Sequence, residues 1–223
     1  GRAVEAARED SAHPFDPYTG ALGGAELRAA VEGALGPRRV WSASQLNEYG
    51  QCPFKFFARR LLRLEELKEP EEGLDALQRG LVNHAILELA YRWIAAEGLA
   101  ITPENADRAR ELLDAAAAEV FRTAPRDYGF RPGPVWAQER EDLLRRLRAL
   151  VALDFSEASP LAKLADGETR SAYALELRFG PEAGAPVALD GDAGHLRVRG
   201  TSDRLDVVGE RVILIDYKTG SSK

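Results

Sequence analysis

The sequence predicts an α/β fold in which a helical N-terminal part packs on a small mixed β-sheet flanked by helices, with acidic residues on the sheet's working face. Three observations carry that expectation. Apolar residues recur at helical spacing in successive stretches between residues 25 and 156. Beyond Pro160 the pattern changes to short β-rich runs with strand-like alternation. Two of those runs, Leu205–Val208 and Arg211–Ile215, are joined by Gly209-Glu210, and a leading glycine suits a type II′ hairpin because that position needs a positive φ.

Residues 1–40 read as an extended lead-in with one short helix. His13–Gly20 is rich in turn formers, and Ala25–Leu35 carries helix formers up to a stop at Gly36-Pro37. Ser42 followed three residues on by Gln45 fits a helix capping box, with Ser44 as a competing cap. A further helix begins at Cys52-Pro53, since proline is tolerated at the first helical position. It displays Phe54, Phe57, Leu61 and Leu62, and Phe54, Phe56 and Phe57 are expected in the core. Lys55, Arg59, Arg60 and Arg63 lie near helical spacing, as a solvated face or a phosphate-contacting one; exposed charge is the commoner state.

After the acidic loop Glu69–Gly73, residues 74–96 form the next predicted helix, with Leu81, Ala85, Leu89 and Trp93 on one face. Thr102-Pro103 opens another, carrying Ala106, Ala109, Leu113 and Val120 inward and ending at Pro125. Pro134 to about Ser156 follows, with Trp136, Leu143, Leu147, Leu150 and Val151 inward. Tyr173–Phe179 alternates, placing Tyr173, Leu175, Leu177 and Phe179 on one face and Glu176 on the other. A loop over Pro181–Asp192 with a short strand at Val187–Leu189 leads through His195–Arg199 into the hairpin.

A chain of 223 residues suffices for one large domain or two small ones. The expected division is the lead-in 1–40 and a single domain 41–223, helical over 41–160 and β-rich over 170–220. At 45% hydrophobic and 30% charged the composition is that of soluble globular material. No run approaches the roughly 18 apolar residues of a membrane span, and no basic-then-apolar leader opens the chain. A single cysteine excludes an internal disulfide and makes a reducing, cytoplasmic setting the default. The absence of methionine suggests a piece of a longer protein. The net charge of −6 argues against an extended basic surface for nucleic acid, although acids gathered round a metal lower the total while basic stripes stay local.

The chemistry concentrates in residues 200–218. If Val208 faces Arg211 across the turn, Leu205 faces Leu214 and Asp203 faces Asp216, with Cα atoms about 4.5 to 5.5 Å apart. Two facing carboxylates repel, and a divalent cation removes the conflict. Mg²⁺ takes oxygen ligands, usually one or two carboxylates together with phosphate oxygens. Lys218 projects to the same side as Asp216, where it would stabilise charge developing on a phosphate. The alternative is a solvent-facing hairpin with ordinary surface charges; the aliphatic run Val212–Ile215, typical of a buried strand, weighs against it. Asp206, three residues from Asp203, lies on the opposite strand face and reads as structural. From the residues alone, His84 reads as structural more readily than catalytic, Glu176 as an exposed acid on a half-buried strand, and Cys52 as a buried structural thiol.

Gly-Thr-Ser-Asp-Arg-Leu-Asp at 200–206 with Ile-Asp-Tyr-Lys-Thr-Gly at 215–220 resembles the PD-(D/E)XK nuclease superfamily, in the RecB/AddB-type branch of bacterial helicase–nucleases. The likeness extends to Trp41–Ser44, Cys52–Phe57, Gly80–His84 and Leu175–Phe179, in the expected order. It implies a restriction-endonuclease-like core and hydrolysis of DNA phosphodiesters with Mg²⁺ or Mn²⁺. Asp203 and Asp216 would hold the metal with His84, Glu176 would be the third carboxylate, and Lys218 the catalytic lysine. The resemblance also implies exonuclease work at DNA ends in recombinational repair, joined to a helicase module or partner subunit. In iron–sulfur members a cysteine at the place of Cys52 joins three more in a [4Fe–4S] cluster; with one cysteine here, only a longer parent chain would supply them. Relatives follow Asp-x-Lys with a helix bearing Gln-x-x-x-Tyr, whereas this sequence ends five residues after Lys218, so a C-terminally truncated piece is expected. The competing expectations are a nuclease-like module that binds DNA or a partner without cutting, and a phosphoesterase acting on small nucleotides.

Overall fold

The computed structural model describes residues 24–64, 73–180, 187–191 and 194–218. Among these are seven α-helices and five strands, and the fold is α/β with a mixed sheet. The turn-rich segment 13–20, the loop 69–72, the loop residues 181–186 and 192, and Thr219-Gly220 lie outside the described residues. The described residues divide into two compact units: 24–64 with 179–180, 187–191 and 194–200, and 73–178 with 201–218.

In the first unit, helix α1 (Ala25–Leu35) stops at Gly36, whose N–H is given to Glu32 O. Strand β1 (Val40–Ser42) leads into α2 (Ala43–Gln51), where Ser42 and Gln45 make the predicted capping box in both directions. Cys52 then caps α3 (Pro53–Phe56), which widens into a π turn over Phe57–Leu61. Strand β4 (Gly194–Val208) begins in this unit, pairing in parallel with β1 at Val40↔Arg197 and antiparallel with β3 (Val187–Gly191) at Val187↔Val198.

The aromatic expectation for this unit needs correction. Phe56 alone of the three phenylalanines is buried, stacked on Trp41 at 5.6 Å and edge-on to Tyr49 at 5.5 Å, whereas Phe54 is 77% exposed and Phe57 is also exposed. One helical turn followed by an i→i+5 turn does not propagate 3.6-residue spacing, so the face is set by the Trp41–Tyr49 pocket. Arg59 and Arg60 both bond Glu48, at 2.9 and 2.7 Å, so neither guanidinium projects alone into solvent.

The second unit holds the main core. It contains α4 (Ala76–Ala96), a 3₁₀ turn (Pro103–Asn105), α5 (Ala106–Asp127), α6 (Pro134–Asp154), α7 (Pro160–Ala165), nearly all of β2 (Arg170–Phe179), the second half of β4, and β5 (Arg211–Ile215). Val82, Ile86, Leu87, Tyr91 and Ile94 of α4 pack with Leu112, Leu113 and Ala116 of α5 and Leu143, Leu147 and Val151 of α6. Asp75 and Gln78 form a second capping box at the start of α4.

Four expectations are corrected here. The buried stripe of α4 runs through Val82, Ile86, Ala90 and Ile94, and Leu81 is exposed, because apolar residues occupy nearly every direction around this helix and spacing could not choose among them. Helix α5 continues through Pro125 to Asp127. A proline in the last turn forfeits a single backbone hydrogen bond, and its carbonyl still accepts from Phe130 N. In β5, Val212 and Leu214 are exposed while Ile213 and Ile215 are half-buried, so only one face of the aliphatic run is covered. Likewise Tyr173 and Leu177 of β2 are exposed, and Arg170 and Ala172 face the core.

Candidate metal centre

Strand alternation on β4 sorts the charged residues of the Asp-Arg-Leu-Asp run. Arg204, Asp206 and Val208 point into the core, and Asp203, Leu205 and Val207 point to the other face. The hairpin has the predicted register, from Val208↔Arg211 to Arg204↔Ile215, with Gly209 at φ 56° in the turn. Asp203 and Asp216 come one position past the last rung of that ladder. There the Oδ2 of Asp203 accepts the Tyr217 backbone N–H at 2.6 Å.

His84, on the flank of α4, lies with Nδ1 3.5 Å from Asp203 Oδ1. Its Nε2 is 3.1 Å from the Tyr217 carbonyl oxygen. A carbonyl only accepts, so Nε2 carries the hydrogen and, in the neutral ring, Nδ1 turns its lone pair toward Asp203. Glu176 completes the group: one ligand atom each from His84, Glu176 and Asp203 lie within 4.8 Å of one another. Glu176 adopts φ 49°, a left-handed conformation that costs a non-glycine residue roughly 1 kcal/mol or more. That positive φ interrupts β2, which runs on to Phe179, at the residue whose carboxylate joins the group. Burial, then the charges of Asp203 and Glu88, push the Glu176 carboxyl above its usual range.

Asp216 and Lys218 form an ion pair with each other on the exposed side of the chain, the lysine 85% exposed. Asp216 is not among the three converging ligands, so the structure brings together His84, Glu176 and Asp203 and leaves Asp216 with Lys218 beside them. The hydrogen bond from Lys218 to Asp216 raises the lysine's pKa, keeping it charged. Cys52 belongs to the other unit, where its Sγ accepts the Lys55 N–H at 3.4 Å as a helix cap.

Beneath the acids is a buried ionic network that sequence reading missed. Arg204 donates to Asp154 Oδ2 and Asp206 Oδ2, both at 2.9 Å, and to the Tyr217 hydroxyl at 3.0 Å. Its guanidinium lies 3.9 Å from the Tyr91 ring centroid. Arg170 donates to Asp206 Oδ2 at 2.7 Å, to Asp154 Oδ1 at 2.6 Å and to the Asp154 carbonyl at 2.8 Å. Asp154 ends α6, where a carboxylate opposes the helix dipole. Burial pushes its carboxyl up, and Arg204 and Arg170 outweigh that and hold it below the usual range. Two arginines and two aspartates leave the cluster neutral, as buried charge requires.

These donors suit a hard divalent ion: two carboxylates and one imidazole nitrogen, with the imidazole's other nitrogen already fixed by a carbonyl. A 2.1 Å metal–ligand distance allows two ligand atoms at most about 4.2 Å apart, so small side-chain rotations close the 4.8 Å spread. A model of the PD-(D/E)XK nuclease superfamily matches residues 40–223. The chain belongs to that superfamily.

Two relatives of this PD-(D/E)XK chain each carry the name of a subunit of an ATP-dependent helicase/deoxyribonuclease. The protein of Symbiobacterium thermophilum is 32% identical over 203 residues, covering 83% of this chain, and that of Desulforudis audaxviator is 30% identical over 202 residues, also covering 83%. The PD-(D/E)XK chain spans 16% of the length of each. Among its described residues no helix is long and apolar enough to cross a membrane. The signal that could have located the missed network was in plain view: Arg204 and Asp206 alternate onto the same strand face as Val208, so both had to be buried and both had to be paired.

Proposed function

We propose that this chain is a metal-dependent deoxyribonuclease module, cutting DNA phosphodiesters as part of a larger helicase–nuclease. The convergence of His84, Glu176 and Asp203 beside the Asp216–Lys218 pair carries the reading. Mg²⁺ or Mn²⁺ held there would supply a lowered water pKa and Lewis-acid neutralisation of charge on the phosphate. Asp203, Glu176 and the Nδ1 of His84 would serve as its ligands. Asp216, paired with Lys218 beside them, would offer a further carboxylate if Lys218 turned to a phosphate. Lys218, exposed and charged, then donates to a non-bridging phosphate oxygen as negative charge develops. Burial, then the charges of Asp203 and Glu88, raise the Glu176 pKa, and a bound cation would act in the opposite direction.

The relatives' names support DNA as the substrate and a helicase as the associated module. Action at DNA ends in recombinational repair, and a cytoplasmic setting, follow from the same reading. A [4Fe–4S] cluster at Cys52 would require three cysteines from a longer parent chain.

The test is digestion of linear and circular DNA, single- and double-stranded, with Mg²⁺, Mn²⁺ or EDTA. Cleavage of linear DNA that needs metal and is lost in Asp203→Asn and Asp216→Ala is the expected result. DNA binding that survives EDTA with no cleavage in either metal would replace this reading with a non-cutting module. Activity confined to mononucleotides would replace it with a small-nucleotide phosphoesterase.

A further inference from the structure

Tyr217 stands between Asp216 and Lys218, where the Asp-x-Lys spacing leaves it as a bare spacer. Its contacts are those of a working part. The side chain turns away from Asp216 and Lys218 and packs against the main core, edge-on to the His84 ring with centroids 6.0 Å apart. Its hydroxyl takes a hydrogen bond from the buried Arg204 at 3.0 Å. Its backbone N–H is given to Asp203 Oδ2 at 2.6 Å, and its carbonyl accepts from His84 Nε2 at 3.1 Å.

A single residue therefore touches two of the three converging ligands through its main chain, and the neutral core cluster through its side chain. Each contact has a consequence for the centre. The N–H to Oδ2 fixes the rotation of the Asp203 carboxylate and leaves Oδ1 toward His84 Nδ1. The carbonyl selects the histidine tautomer whose Nδ1 is free to bind a metal. The Arg204 bond holds the whole peptide in place, because Arg204 is itself locked by Asp154, Asp206 and the Tyr91 ring. Past the last rung of the β4–β5 ladder no strand pairing among the described residues secures this peptide, so the hydroxyl does what a rung would have done.

We infer that Tyr217 is the positioning residue of the metal centre, transmitting the rigidity of the buried Arg204 cluster to Asp203 and His84. The inference rests on the metal-centre reading above and adds to it a residue that touches neither metal nor substrate.

Tyr217→Phe removes only the hydroxyl. Mn²⁺ binding by the full chain, followed by the paramagnetic resonance of free Mn²⁺, is expected to weaken about tenfold, in the range lost when outer-shell partners of metal ligands are changed. The Mn²⁺ concentration that half-activates DNA cleavage should rise by the same factor while KM for DNA at saturating Mn²⁺ stays unchanged. A purely structural hydroxyl would lower the thermal midpoint and leave Mn²⁺ affinity of the folded protein as it was, which would overturn the inference. A second measurement needs no variant: the ¹⁵N shifts of the neutral His84 ring in metal-free wild type should report the Nε2–H tautomer, and an Nδ1–H tautomer would overturn it. Wild type that binds no Mn²⁺, or Asp203→Asn that binds it as well as wild type, would sink the metal-centre reading itself. Normal wild-type and Asp203→Asn behaviour with unchanged Tyr217→Phe would sink this inference alone.

Discussion

Replacing Arg204 by methionine keeps the length of the side chain and removes its charge from a position that is 1% exposed. Asp154 and Asp206 would then share Arg170 alone, leaving one net negative charge in the core. The Tyr91 ring would lose its cation, and the Tyr217 hydroxyl its donor. Removing one partner of a buried ion pair costs about 3 to 5 kcal/mol, and the burial here means solvent screening does not reduce it. With a urea dependence of about 2 kcal/mol per molar, the unfolding midpoint should fall by roughly 1.5 to 2.5 M. Adding Asp206→Leu restores neutrality, since Arg170 and Asp154 remain as a pair, and the double variant should recover most of the loss. Equilibrium urea denaturation of wild type, single and double variants measures all three. A single variant within about 1 kcal/mol of wild type, or a double variant no better than the single, would refute the claim that charge neutrality governs this cluster.

Glu176→Gln should stabilise the metal-free protein at neutral pH. The pKa of Glu176 is raised in the fold, so the folded chain holds its proton to higher pH than the unfolded chain does. Stability without metal therefore falls as pH rises through the window from the ordinary glutamate value to the raised one. Thermal midpoints across pH should show that fall in wild type and lose it in the variant, and saturating Mn²⁺ should stabilise wild type more than the variant. Gly209→Ala places a Cβ at φ 56° and 2.1 Å from Glu168 Oε2. The carboxylate can swing aside, so the backbone strain dominates at roughly 1 to 2 kcal/mol, read as a midpoint drop of about 2 to 8 °C by calorimetry.

What could be read from the sequence was local. The hairpin register followed from a two-residue turn, and the Ser42 and Cys52-Pro53 helix starts from capping chemistry that needs no tertiary partner. The Asp203, His84 and Glu176 candidates came from resemblance and from a charge conflict at the hairpin mouth, and their distances from one another could not be counted from spacing. What escaped was set by packing between elements. The inward face of α4 had several apolar solutions until α5 and α6 chose one. Phe56 rather than Phe54 went inside because Trp41 and Tyr49 flank it. Alternation with Val208 marks Arg204 and Asp206 as buried, but their partners Arg170 and Asp154 are far apart in sequence, so which charges neutralise them, and with that the support under Tyr217, could not be counted from spacing.

A crystal grown with Mn²⁺ and measured at the manganese absorption edge tests the metal centre most directly. An anomalous peak within bonding distance of His84 Nδ1, an Asp203 oxygen and a Glu176 oxygen is the predicted result. A peak held by Asp216 alone, or by exposed acids away from His84, would contradict it.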